Sequence, residues 1–265
     1  MKKIIALMAV AAMLLTSCGS VPITGRKQLN LVSDSEVLQS SLQQYASFMQ
    51  TATISTQKTK SEQVTRVGKR IAAATEAYLR SAGLESELNN FAWEFNLVKS
   101  EDVNAWCMPG GKIVVYEGIM NLVSSDDELA VVMGHEVAHA VAKHSNERMS
   151  QQLLAQYGAS AVGILTGGKS AATQQIAQQV YGLGAQYGVM QPFSRKHESE
   201  ADKMGLVLMT IAGYNPECAI NFWQKMQASS SSTVPEFMSS HPSHETRIAD
   251  IRKWLPEVLQ KYGAK

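Results

Sequence analysis

The sequence predicts a mostly helical α+β domain with a small sheet, of about three strands, beside one chemistry-bearing helix. Three observations carry this. Apolar residues recur at helical spacing behind capping signals from residue 33 onward, alternating or β-branched runs are confined to residues 91–116, and nearly everything after them reads as helix. The chain has 265 residues, 45% of them hydrophobic, which suffices for one sizeable core.

The elements follow in order. Lys2 and Lys3 precede an apolar run, Ile4 to Leu15, that is too short to span a bilayer as a mature helix. With Cys18 directly after Leu15-Thr16-Ser17, residues 1–17 read as a lipoprotein signal peptide, Cys18 as the lipidation site and 18–32 as a lipidated tether. Residues 33–265 then form a single domain. Ser33 and Glu36 make a capping box for a helix reaching about Gln50, and Val64, Val67, Ile71, Ala74 and Tyr78 mark a second helix from about Glu62 to Ser81. Phe91 to Lys99 alternates as a strand, Asn104 to Met108 forms a second, and Lys112 to Tyr116 a third after the Pro109-Gly110-Gly111 turn. Ser125 and Glu128 cap the next helix. Leu153 to Leu165 and Ile176 to Val189 suggest a helical hairpin, with glutamines that argue against a membrane span, and residues 228–240 a Ser-rich loop.

Composition excludes several classes of function. The formal net charge is +1, and it stays near zero when Lys2 and Lys3 leave with the leader. No basic field exists to hold nucleic acid. Three cysteines, Cys18, Cys107 and Cys218, are too few and too dispersed for a disulfide scaffold or a zinc ribbon, although Cys107 and Cys218 could pair after export.

The chemistry lies in His135-Glu136-Val137-Ala138-His139, an H-E-x-x-H motif. Helix positions four apart share a face, with Cβ atoms roughly 5–6 Å apart. His135 and His139 can therefore reach one metal ion at about 2.0–2.1 Å. Glu136, offset by one residue, reaches a water on that ion, whose pKa zinc lowers from 15.7 to about 7. Leu129, Val132, Met133, Val137, Ala140 and Val141 bury the same helix and place the metal inside a zincin-like fold.

A catalytic zinc needs a third protein ligand and one open position. His144 is five residues beyond His139, off the ligand face, and reads as a helix-end histidine favoured by the dipole. Glu198 and Asp202 lie four apart downstream. One can bind the metal while the other orients a ligand histidine through its second ring nitrogen.

These blocks resemble the M48 family of zinc metallopeptidases, in its periplasmic lipoprotein form. The residues that carry the resemblance are Thr24-Gly25-Arg26, Asn104-Ala105, Pro109 to Ile113, His135 to His139, Ser194-Arg195 with Glu198, Glu200-Ala201-Asp202, Gly213 to Pro216, and His241-Pro242 with Arg247. The resemblance implies Glu198 as the third zinc ligand, Glu136 as general base, and Asp202 and Arg247 supporting the site from behind the ligands. It marks His241 as an active-site residue on a loop over the metal, stabilising an oxyanion or filling the open position. It also implies that substrate lies along a strand edge at Asn104 and Ala105. Membrane-spanning helices and tetratricopeptide arrays, which some members carry, are not visible here.

Two functions compete. The first is a metalloendopeptidase with one Zn2+ per chain that cleaves misfolded or mis-assembled envelope proteins. The second is an assembly or chaperone-like factor whose peptidase site is latent behind His241. Both predict protein or peptide partners in the periplasm, membrane attachment through the lipid on Cys18, no nucleic acid, and contact with outer-membrane assembly machinery. The leader predicts a lipid anchor in the outer membrane, facing the periplasm.

Overall fold

The computed structural model describes residues 18–186, 190–229, 241 and 246–263. The leader expected at 1–17, most of the Ser-rich loop and Pro242 lie outside the described residues.

An antiparallel ribbon opens the chain, with β1 (Cys18–Ser20) paired to β2 (Lys27–Leu29). The tether expected over 18–32 is instead packed onto the domain. Val21 is 1% exposed, and the Arg26 side chain reaches Glu147 and Glu200. The side chain of Cys18, the expected lipidation site, lies outside the described atoms.

Helix α1 (Asp34–Thr51) starts at the predicted capping box, with Ser33 accepting from the Glu36 N–H. Helix α2 (Lys58–Ser81) begins one turn earlier than predicted and buries Val64, Val67 and Ile71. It lies against the sheet at Gly68, where a Cβ would stand 2.3 Å from the Phe95 ring. The sheet contains β3 (Glu94–Val98), β4 (Ala105–Met108) and β5 (Lys112–Tyr116) in the order β3-β5-β4. β3 runs parallel to β5, while β4 is antiparallel to it and forms an edge. The β4–β5 turn places Gly110 and Gly111 at φ 98° and 77°, backbone that glycine adopts without a Cβ penalty.

Helix α3 (Asp126–Val141) is the central element, and Leu129, Val132, Met133 and Val137 on it have no exposed surface. Burial of each such side chain contributes about 1.5–3 kcal/mol. Its cap is half of the expected box. Ser125 accepts from the Glu128 N–H, but the Glu128 carboxylate reaches past the cap to the Ser124 N–H at 2.8 Å. The helix breaks at Lys143, which is left-handed at φ 54°, and α4 (His144–Thr166) leaves in a new direction. α4 pairs with α5 (Ala171–Ala185) as the expected hairpin, leaving Tyr157, Ile164, Leu165 and Val180 exposed. Among the described residues no helix is long and apolar enough to cross a membrane.

Helix α6 (Gln191–Ile211) crosses α3, flanked by α7 (Cys218–Ser229) and α8 (Arg247–Tyr262). Cys107 and Cys218 are free thiols.

Candidate metal centre

The turn spacing of α3 brings His135 Nε2 and His139 Nε2 to 3.1 Å. Helix α6 meets α3 at a pair of glycines. A Cβ on Gly205 would stand 2.9 Å from the His135 backbone nitrogen, and one on Gly134 would stand 3.0 Å from the Gly205 carbonyl. This close approach carries Glu198 in. Its Oε2 is 3.3 Å from His135 Nε2 and its Oε1 is 3.4 Å from His139 Nε2. His241 also reaches the site. Its Nδ1 is 3.2 Å from Glu198 Oε2 and 3.3 Å from His135 Nε2. One donor atom from each of these four residues lies within 4.8 Å of the others.

The remaining ring nitrogens are engaged behind the cluster. Asp202 Oδ1 accepts from His135 Nδ1 at 2.9 Å. Arg247, buried over the Trp223 ring, donates Nε to Asp202 Oδ2 at 2.7 Å and Nη2 to Glu198 Oε2 at 3.2 Å. The resemblance implies that Asp202 and Arg247 support the site from behind the ligands, and both side chains lie against His135 or Glu198 there.

Its reading of His144 needs correction. The left-handed Lys143 turns His144 inward, where it is 4% exposed rather than at a solvated helix end. Its Nδ1 is 2.8 Å from His139 Nδ1, and its Nε2 is 3.1 Å from Glu200 Oε2. A carboxylate only accepts, so His144 carries its proton on Nε2 and offers Nδ1 as an acceptor. His139 then carries its proton on Nδ1, and its Nε2 lone pair faces the cluster. Glu200 and Arg26 were visible only as members of the family-like blocks, without a role.

The donor set fits a divalent cation. Burial pushes the His139 imidazole well below its ordinary pKa, so it is neutral. Burial opposes charge on His135 too, but Asp202 and Glu198 outweigh it and lift that ring to about 10. A proton on His135 thus holds the converging donors together, and a metal ion would displace it, as metals do at imidazole sites. Two imidazoles and a carboxylate suit zinc.

Glu136 completes the arrangement. It is 2% exposed, and its Oε1 has no hydrogen-bond partner among the described residues. His241 Nε2 stands 3.6 Å from that oxygen. Burial raises the carboxyl's pKa, with His241 and His135 pulling it back. The Cys107 backbone N–H, on the free edge of β4, faces the same carboxylate and also pulls its pKa back.

A groove of about 420 Å³ opens beside this edge, lined by Trp106, Cys107, Met108, Glu136, His139 and His241 with residues of α1. Asn104 and Ala105, expected to line it, do not. They are 6% and 1% exposed, and Asn104 Oδ1 takes up the Ala105 N–H at 2.9 Å, closing the edge at that end. The β4 residues that line the groove run from Trp106 to Met108.

Comparison with known proteins is consistent with this geometry. The family model for Peptidase family M48 matches residues 36–255. The chain is 32% identical over 246 residues to the mitochondrial metalloendopeptidase OMA1 of Schizosaccharomyces pombe, covering 91% of this chain and 67% of that protein. It is 28% identical over 250 residues to the mitochondrial metalloendopeptidase OMA1 of Homo sapiens, covering 90% of this chain and 46% of that protein. It is 29% identical over 202 residues to the beta-barrel assembly-enhancing protease of Escherichia coli, covering 69% and 40%. The chain thus spans less than half of the length of the last two relatives and about two thirds of the first. These matches overturn the expected location. A lipid anchor in an outer membrane facing the periplasm is not what they indicate, because the relatives matched along nine tenths of the chain are mitochondrial.

Proposed function

The chain belongs to Peptidase family M48, whose members are zinc-dependent metallopeptidases, and from that premise we propose that it is an endopeptidase hydrolysing bonds within misfolded or mis-assembled proteins. The observation that carries the reading is Glu136 Oε1. It is a buried carboxylate oxygen with no hydrogen-bond partner among the described residues, beside two imidazoles and a carboxylate that converge on one point.

His135, His139 and Glu198 would hold the zinc, which when bound supplies the Lewis acidity that brings a water's pKa near 7. Glu136 accepts the water's proton at Oε1 and returns it to the leaving amine, work suited to a carboxyl whose pKa burial has raised. Asp202 and Arg247 fix the ligand orientations. The β4 edge from Trp106 to Met108 aligns an extended substrate through its backbone, which suits substrates chosen for being unfolded rather than for their side chains.

The test compares wild type with Glu136→Gln on an unfolded protein, with a chelator control. Cleavage by wild type alone, lost on chelation, is expected. Equal cleavage by Glu136→Gln would sink the assignment.

A second reading has its own support. His241 Nδ1 lies within the donor cluster, where a fourth ligand would close the site and leave no open position. Under this reading the protein is an assembly factor with a latent peptidase. Replacing His241 with Ala would then raise proteolysis, whereas an oxyanion-stabilising His241 predicts its loss.

A further inference from the structure

The ribbon that holds Arg26 is joined to the metal centre by a continuous chain of hydrogen bonds. Arg26 Nε donates to Glu200 Oε2 at 2.9 Å, and its Nη1 and Nη2 form a fork on Glu147 at 2.9 and 2.7 Å. The Thr24 hydroxyl donates to Glu200 Oε1. Glu147 also accepts from His197 Nε2 at 2.9 Å, and the His197 ring stacks on His144 with centroids 4.2 Å apart. Glu200 then receives His144 Nε2, and His144 Nδ1 meets His139 Nδ1 at 2.8 Å. Both carboxylates are nearly inaccessible, with side chains 6% and 3% exposed.

We infer that Arg26, acting through Glu200 and His144, is a positioning residue that fixes the proton of His139 on Nδ1 and so presents Nε2 to the metal. The inference rests on the reading of His135, His139 and Glu198 as ligands. A ligand histidine is set by the hydrogen bond that its other nitrogen makes. For His135 a carboxylate does this directly. For His139 the carboxylate is one imidazole further away, and the guanidinium and hydroxyl that orient it come from a ribbon distant in sequence. Glu200 takes three donors, from Thr24, Arg26 and His144, and without Arg26 its Oε2 loses the guanidinium that holds it against His144, leaving only the Thr24 contact to Oε1 to orient it among the described residues.

The same contacts could serve only to dock the ribbon, so the test reads the proton and the metal rather than stability. Full-length protein carrying 15N-histidine would be examined metal-free, reading which ring nitrogen of His139 is protonated. Its zinc affinity would be measured by competition with a chromogenic chelator. The expected result is Nδ1–H in wild type, loss of that state in His144→Leu, and zinc binding weakened by about 10–100-fold. Arg26→Ala should move both readouts in the same direction. His144→Gln, whose carbonyl accepts from His139 while its amide donates to Glu200, should restore both. Arg66→Ala removes a comparable surface fork, at 2.9 and 2.8 Å from Asp126, and should change neither.

Unchanged His139 protonation and unchanged zinc affinity in Arg26→Ala and His144→Leu would overturn the inference. If His144→Leu does not fold, Arg26→Ala against Arg26→Lys decides the matter, since Lys keeps the charge and loses the fork. Wild-type protein that takes up no zinc would overturn the ligand assignment instead, and the metal-free spectra would still decide the role of Arg26.

Discussion

Gly205 lies against Gly134 so closely that a methyl on Gly205 would stand 3.0 Å from the Gly134 carbonyl carbon. This contact sets the distance between the helix bearing His135 and His139 and the helix bearing Glu198. Gly205→Ala should therefore force α3 and α6 apart, because the atoms it would meet are backbone atoms of Gly134 and His135 and cannot rotate away. The expected cost is about 1–3 kcal/mol, as for other overpacked cores. Zinc affinity should fall with it, since Glu198 would retreat from both imidazoles. Denaturant unfolding and chelator competition on the same protein check the two effects.

Arg247 holds two buried carboxylates at once, Asp202 at 2.7 Å and Glu198 at 3.2 Å. Replacing it with Met preserves bulk over the Trp223 ring but leaves both carboxylates without their cation. Removing one partner of a buried ion pair costs about 3–5 kcal/mol. Arg247→Met should show a loss of that size in metal-free protein. The loss should shrink when zinc is added, because the metal supplies positive charge to Glu198. Urea unfolding with and without zinc measures both.

How much of this was legible in the sequence differs from residue to residue. His135, Glu136 and His139 are readable because a helix repeats every 3.6 residues, so local spacing alone fixes a shared face. Glu198 and Asp202 are readable as a pair by the same rule, but which of them faces the metal depends on the crossing at Gly205, a long-range contact. His144 was misread because the break at Lys143 uses a left-handed lysine, with no glycine to signal it. Asn104 precedes β4 and Ala105 opens it, but the register Cys107↔Ile113 decides which backbone groups face the groove. Arg26 and Glu200 lie 174 residues apart, and no periodicity joins them.

Zinc should stabilise the folded chain by mass action, since the four donors converge only in the fold. Linkage gives about 4 kcal/mol when free zinc exceeds its dissociation constant a thousandfold. The melting temperature should rise with zinc concentration and fall on chelation. In His139→Ala the dependence should nearly vanish. A melting temperature indifferent to zinc in wild type would contradict the assignment of the cluster.

The ribbon's docking should fail in acid before the core does. Burial opposes the charge on Glu147, but His197 and Arg26 outweigh it and hold its carboxyl at about 2, below the ordinary 4.5. A carboxyl with a folded pKa below its unfolded one stabilises the fold above the unfolded value. That contribution fades as pH falls toward the folded value. Between pH 4.5 and 2 the Arg26 fork should therefore weaken, and the ribbon with it. Hydrogen exchange at the Val21 and Gly25 amides, which bond to Arg26 and Val21 carbonyls at 2.8 and 2.9 Å, reports this directly. Their protection should drop through that window while amides in the buried middle of α3 stay protected. Glu200, which accepts from Arg26 and Thr24 of the same ribbon, is also held at about 2 against the opposing burial by His144, Arg26 and Thr24. Glu147→Gln should therefore remove only part of the pH dependence at the ribbon, and Glu147→Gln combined with Glu200→Gln most of it. Ribbon protection that held unchanged to pH 2 in wild type would mean that Val21 and the strand pairing, not the fork, hold the ribbon in place.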